Sequence, residues 1–130
     1  MEQTIVQAGL VTAELAINKA LKYDPAVQQK LKALAPKVLA INITTLDLTI
    51  YVQFGEQLEL HSHQEQPSDA TLSGELSAFL NLASHEDKHA ALMKSDIQIQ
   101  GSSQLAMGLA DASSHLKIDW EAMISELTGP

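Results

Sequence analysis

The residues whose types and spacing could do chemistry stand at His85-Glu86-Asp87-Lys88-His89, which satisfies H-E-x-x-H. On a helix, two imidazoles at i and i+4 share one face and can ligate zinc, and the glutamate can serve as general base in hydrolysis. The context argues against that use. A zinc-protease helix is largely apolar and buried, whereas here Asp87 and Lys88 fill the intervening positions. No second motif offers a third ligand. The charge run beside Ser84-His85-Glu86-Asp87, which resembles a capping box with Asp in place of Glu, reads as the solvated start of a surface helix. His61-Ser62-His63 places two more imidazoles on one face of a strand, a spacing that can bind a surface metal. Glu59 shares that face, so a polar outer sheet surface explains the pair more simply. His115, after Ser113-Ser114, reads as a loop residue.

Other chemistries lack an anchor. The chain contains no Cys, which removes disulfides, thiolate nucleophiles and zinc ribbons. It has no G-x-S-x-G elbow, no phosphate-cradling glycine loop and no calcium-loop pattern. Catalysis therefore has no anchor in the sequence, and no cofactor or metal is expected. Carboxylates paired only in space would escape this search.

Charge narrows the partners. Of 130 residues, 16 are acidic and 8 basic, for a net charge of -8, and all the basic ones are lysines. Without arginine there is no planar fork for bidentate phosphate contacts, and net negative charge repels a phosphate backbone. Nucleic acid is therefore not an expected partner, and anionic bilayers, normally held by basic clusters, are not held by this charge. Met1-Glu2-Gln3-Thr4 opens without the basic and apolar segments of a signal peptide, and no apolar run is long enough to span a bilayer. The expected location is the cytosol, with any membrane contact peripheral.

Helical periodicity opens the chain. Val6, Leu10, Ala13, Ile17 and Leu21 form one apolar stripe, with Glu2 and Lys19 and Lys22 placed to suit the helix dipole. Asp24-Pro25 restarts the chain as N-cap and first helical residue of a shorter helix carrying Val27, Leu31 and Leu34, which Pro36 ends. The period then changes to two. Residues 37–43 are β-branched and aliphatic, and Leu46, Leu48, Ile50, Val52 and Phe54 alternate with polar neighbours as a half-buried strand. Gly55-Glu56 turns the chain, Leu58 and Leu60 point inward on the next strand, and Glu59, His61 and His63 point outward. Short connections imply an antiparallel meander. After a polar loop at residues 64–68, residues 70–73 make a fourth strand. Leu76, Phe79, Leu80 and Ala83 return to helical spacing, a short helix follows around Ala90 and Met93, and residues 96–100 alternate with Ile97 and Ile99 inward. Ser102 or Ser103 caps a helix carrying Leu105, Leu109 and Ala112. Asp119 caps the last helix, with Ile118 stapled to Met123. Strands and helices segregated in this way predict a single α+β domain over residues 1–130, its mainly antiparallel sheet covered by helices.

The remaining signal is apolar. Aromatic residues make up only 4% of a chain that is 45% hydrophobic. A core of Leu, Ala and Met packs adaptably and suits a flexible aliphatic ligand better than a rigid planar one. Ordinary core is the plain alternative for most of these side chains.

Ser68-Asp69-Ala70-Thr71-Leu72-Ser73-Gly74 followed by Leu76-Ser77-Ala78-Phe79-Leu80, then Ile97-Gln98-Ile99-Gln100-Gly101 and Leu105-Ala106-Met107-Gly108-Leu109, resemble the sterol carrier protein 2 (SCP2) family in order and spacing. Two helices leading into L-A-P-K-V-L-A-I-N-I at residues 34–43, and Asp119-Trp120-Glu121 opening the last helix, look like its branch of ubiquinone biosynthesis accessory factors. Ser102 departs from the acidic residue that often follows the strand-end glycine. The resemblance implies a five-stranded mixed sheet covered by helices and enclosing a hydrophobic tunnel. It implies binding of a lipid, here a polyprenylated ubiquinone precursor, and presentation of it to soluble biosynthetic enzymes. The expected lining, from helical spacing and the resemblance together, is Leu76, Phe79, Leu80, Leu92, Met93, Ile97, Ile99, Leu105, Leu109, Met123 and Ile124. The branch contacts a small partner, UbiK, through a C-terminal coiled-coil region, expected to be missing from a chain that stops at Gly129-Pro130. Self-association stays open. A scaffold with a filled core, binding pathway proteins without lipid, is the alternative, and a metal-dependent enzyme built on His85, Glu86 and His89 a third.

Overall fold

The computed structural model describes residues 3–64 and 66–128. Six helices and five strands follow in the order α1 (Gln3–Lys22), α2 (Pro25–Lys32), β1 (Val38–Ile43), β2 (Leu48–Gln53), β3 (Glu59–His61), β4 (Ala70–Gly74), α3 (Leu76–Ser84), α4 (Lys88–Lys94), β5 (Gln98–Gly101), α5 (Ser103–His115) and α6 (Trp120–Thr128). The fold is α+β, as the pattern predicts. Val6, Leu10, Ala13, Ile17 and Leu21 are all buried along α1. Glu2, expected to complement the dipole of that helix, lies outside the described residues. The Asp24 carboxylate accepts the Val27 N–H, with Pro25 at the first helical position.

The sheet runs β3-β2-β1-β4-β5. β1, β2 and β3 form the antiparallel meander that the short turns predict. The chain then crosses through residues 62–69 and sets β4 parallel to β1, after which β5 pairs antiparallel with β4. The parallel pair makes the sheet mixed, as the family resemblance implies and as alternation alone does not reveal.

Register puts the aliphatic side chains on one face. Ile41 lies between Ile50 and Leu72, Leu39 between Val52 and Ala70, and Leu72 is followed across the sheet by Ile99. The residues between them (Asn42, Thr49, Tyr51, Gln53, His61, Thr71, Gln98 and Gln100) share the opposite face, since successive side chains alternate. Helices α1, α3, α5 and α6 gather over the aliphatic face, where one-sided antiparallel sheets keep their core.

Asp69 ties the central strands together. Its carboxylate accepts the Val38 N–H at 2.8 Å, its own N–H donates to Val38 O at 2.8 Å, and its carbonyl accepts the Ser102 N–H at 3.0 Å. One residue therefore fixes the start of β1, the start of β4 and the entry to α5. Gly101 approaches it with φ +82, and a Cβ there would run into the Asp69 carbonyl oxygen. At the sheet edge, α1 satisfies exposed backbone from the side. Asn18 pairs with both the N–H and the carbonyl of Leu58 at 2.9 Å, and the Glu14 carboxylate accepts the Leu60 N–H.

Local readings fail at Leu46, Ser84 and His115, the last two where a side chain bonds the backbone of its own helix. Leu46 belongs to a short 3-10 turn, Thr44–Leu46, rather than to the strand. Asp47 closes that turn at φ 49, and the Thr45 hydroxyl is thereby placed to accept the Leu76 N–H at the start of α3. Ser84 ends α3 instead of capping α4: its hydroxyl donates back to Asn81 O, and Asp87 takes the cap by accepting the Ala90 N–H. His115 is the last residue of α5 rather than a loop residue, its Nδ1 donating to Asp111 O.

Asp69→Ala leaves the buried Val38 N–H without its acceptor. The expected cost is about 1–3 kcal/mol of unfolding free energy, measured by urea denaturation, with Asp69→Asn intermediate because an amide oxygen can still accept.

Candidate functional site

The H-E-x-x-H spacing does not survive folding as one helical face. The break between α3 and α4 passes through it: His85 caps α3, its Nδ1 donating to Asn81 O, and His89 lies in α4. His61 and Glu59 sit 3.4 Å apart on the polar sheet face. Among the described residues no three His, Asp or Glu side chains converge as a metal ion would require. Among them, too, no helix is long and apolar enough to cross a membrane.

An apolar cavity of about 180 Å³ lies between the sheet and the helices. Its floor is the aliphatic sheet face: Ile41 and Ile43 of β1, Ile50 and Val52 of β2, and Leu72 of β4. Ala13 and Ile17 of α1, with Leu58 and Leu60, close one side. Phe79, Leu82 and Ala83 of α3 and Leu92 of α4 close the other. Ala106, Leu109 and Ala110 of α5 and Met123, Ile124 and Leu127 of α6 form the roof. The void exists because Ala13, Ala83, Ala106 and Ala110 present single methyl groups where longer side chains would meet. Rings enter the lining only at Phe79 and Trp120. At ~24 cal/mol per Å³, an empty cavity of this size costs roughly 4 kcal/mol, which an apolar occupant offsets.

Four polar side chains join the lining: Lys88, Ser113, Trp120 and Thr128. Ser113 donates to Leu109 O, Thr128 to Ile124 O, and the Trp120 indole N–H to Ser113 O at 3.0 Å. The Lys88 ammonium donates to His85 O at 2.7 Å, and only 9% of the residue is exposed. Burial pulls its pKa below the ordinary lysine value of 10.5, and the nearby Glu86 carboxylate raises it in part.

The structure brings five of the residues expected at the site to the cavity wall: Phe79, Leu92, Leu109, Met123 and Ile124. Leu105 and Ile97 are buried in solid core beside it, and Leu76 and Ile99 pack against that core. Leu80 is half-buried on α3, and Met93 is 68% exposed on α4. The sheet floor and the α1 wall were missing from the expected lining. A signal for the floor existed, since Ile50 and Val52 already read as inward; helical spacing after the sheet gave no hint that α1 closes the same space.

Residues 17–113 match the SCP-2 sterol transfer family. The chain belongs to that family. The SCP2 domain also resembles solved structures. One is a UbiJ-SCP2 ubiquinone synthesis protein, with TM-score 0.68, 19% identity, and coverage of 80% of this chain and 91% of the other. A second is sterol carrier protein domain 2 of Helicoverpa armigera, with TM-score 0.50, 15% identity and coverage of 85% and 92%. A third is a conserved hypothetical protein of Thermus thermophilus, a candidate sterol carrier protein, with TM-score 0.51, 12% identity and coverage of 99% and 90%. These likenesses concern the fold. No curated protein matches the sequence significantly.

The lowered Lys88 pKa has a signed consequence for stability. The unfolded chain binds this proton more tightly, so folding gains with rising pH between the lowered folded value and 10.5. Below that window the cost of burying the charge is constant. Relative to Lys88→Met, the wild-type domain should therefore gain stability as pH rises through the lowered folded value toward 10.5, as measured by denaturant titration of both proteins across the alkaline range.

Proposed function

We propose that this SCP2 domain is a non-enzymatic lipid-binding module of ubiquinone synthesis. It takes prenyl carbons of a polyprenylated quinone precursor into the aliphatic cavity and presents the head group to soluble enzymes. The observation that carries this reading is the cavity itself, enclosed by aliphatic side chains and methyl groups in a domain of a lipid-transfer family. An isoprenoid tail in water costs roughly 25 cal/mol for each Å² it exposes, and this lining removes that cost without demanding a rigid shape. The likeness to a UbiJ-SCP2 ubiquinone synthesis protein supports the choice of lipid class. Pathway enzymes are the partners of this reading, together with the small protein UbiK engaged through a C-terminal region, and the cytosol is its place of action.

The volume bounds the mode of binding. About 180 Å³ is slightly more than the ~150 Å³ that accepts benzene in an engineered cavity, and less than the ~300 Å³ at the low end of drug-sized pockets. A prenyl segment fits the closed form, and a longer tail needs the roof to lift. Helix α6 is the natural element to yield, since Leu127 is its one fully buried residue among those described while Met123 and Ile124 face the cavity. A scaffold with a filled core would have no such void.

Protein purified from its native host should carry an apolar lipid detectable by native mass spectrometry and organic extraction. Ala110→Leu, which fills the cavity from α5, should keep or raise the thermal midpoint while lowering bound lipid by roughly tenfold. Absence of both co-purified lipid and binding of added prenylphenols would refute the reading.

A further inference from the structure

The polar members of the cavity lining are not equivalent. Ser113, Trp120 and Thr128 each spend their donor hydrogen on a backbone carbonyl. Lys88 carries three N–H donors and spends one, on His85 O. Among the described residues no carboxylate lies within ion-pair distance of it, in a chain with twice as many carboxylates as lysines. Glu86, the acidic residue close enough to influence it, is exposed and makes no ion pair with it. A lysine buried along its stem normally gives its head to water or to a charge partner.

Its position is as informative as its chemistry. The Lys88 stem joins the cavity wall beside Leu82, Ala83 and Leu92, while its head reaches His85, the exposed residue that closes α3. The side chain thus runs from the cavity wall to the backbone at the exposed end of α3, as long cationic side chains do when stem and head face different surroundings. An amphiphile lying in the cavity with its tail among the isoleucines would bring its head to this end.

We propose that Lys88 is the head-group anchor of the cavity, and that the ligand class it selects is a single-chain amphiphile bearing a carboxylate. This rests on the reading of the cavity as a lipid site and goes beyond it by naming the head group. A carboxylate accepts the two remaining N–H groups in charge-assisted hydrogen bonds and supplies the missing countercharge. A neutral ester or alcohol of the same tail leaves that charge uncompensated. Prenylated hydroxybenzoates and fatty acids share the chemistry, and the tail lining discriminates between them.

The test compares acids with their methyl esters, below their micelle concentrations, by calorimetric titration of the whole chain. The probes are 3-geranyl-4-hydroxybenzoic acid, palmitic acid and both methyl esters. The wild-type protein should bind each acid about 10- to 100-fold more tightly than its ester. Lys88→Met, which keeps the stem, should bring acid and ester within about threefold, and Lys88→Arg should restore part of the preference. A tighter prenylated acid than palmitate identifies a prenyl-selective tail site, and the reverse order a fatty-acid site; either order supports the anchor provided the acid preference depends on Lys88. Equal binding of acid and ester by the wild type, or an acid preference that survives in a folded Lys88→Met, overturns the anchor while leaving a lipid cavity in place. Failure of all four probes to bind overturns the lipid reading and the anchor with it.

Discussion

One face of the sheet cannot meet water. Leu39, Ile41, Ile43, Ile50, Val52, Leu72 and Ile99 fall on it by register, and burial of such a surface is the largest favourable contribution available to a chain of this size. The helices are arranged to cover that face. α1 comes in from the β3 edge and is held there by Asn18 and Glu14, whose side chains satisfy backbone groups of Leu58 and Leu60. α3 and α4 approach from the other side, and α5 and α6 close over the top. Because alanines stand at the points of closest approach, cover is achieved without complete filling. The cavity follows from a face that must be covered and helices too small-sided to fill the space beneath them.

Lys88 gains its meaning from that setting. On a solvated helix it would be an unremarked surface charge, which is how the run Glu86-Asp87-Lys88 reads in isolation. The break between α3 and α4 turns its side chain along the cavity wall, with the ammonium held by His85 O. The same break separates His85 from His89 and removes the shared face that metal ligation on one helix would need. A single local event, Asp87 rather than Ser84 capping α4, decides both outcomes. Ser84 bonds back to Asn81 O as the last residue of α3, at the expense of the predicted cap.

Most elements were legible in the sequence because their signals are local. The α1 stripe, the Asp24-Pro25 restart, the alternation of Leu48, Ile50 and Val52, and the caps at Ser102 and Asp119 each depend on residues within a few positions of one another. The site was only half legible. Phe79, Leu92, Leu109, Met123 and Ile124 reach the cavity, whereas Leu105 and Ile97, equally apolar and equally periodic, are packed solid. Hydrophobic spacing identifies which face of an element turns inward, but it carries no information about whether the space opposite is occupied. Met93 marks the opposite limit, an apolar residue on a helix too short to define a face.

By itself the sequence determined the α+β class, the order of elements, the aliphatic character of the interior and, through ordered short motifs, the family. Those properties follow from composition and from periods of 2 and 3.6, which a chain carries before it folds. Only the tertiary structure decided that β4 runs parallel to β1, that α1 and the sheet floor close the cavity, and that Lys88 joins its wall. Each depends on groups far apart in the chain: Val38 with Asp69, Ala13 with Leu127, Lys88 with Ser114. No local period encodes such meetings, because they arise from how whole elements pack once the one apolar face has to be covered.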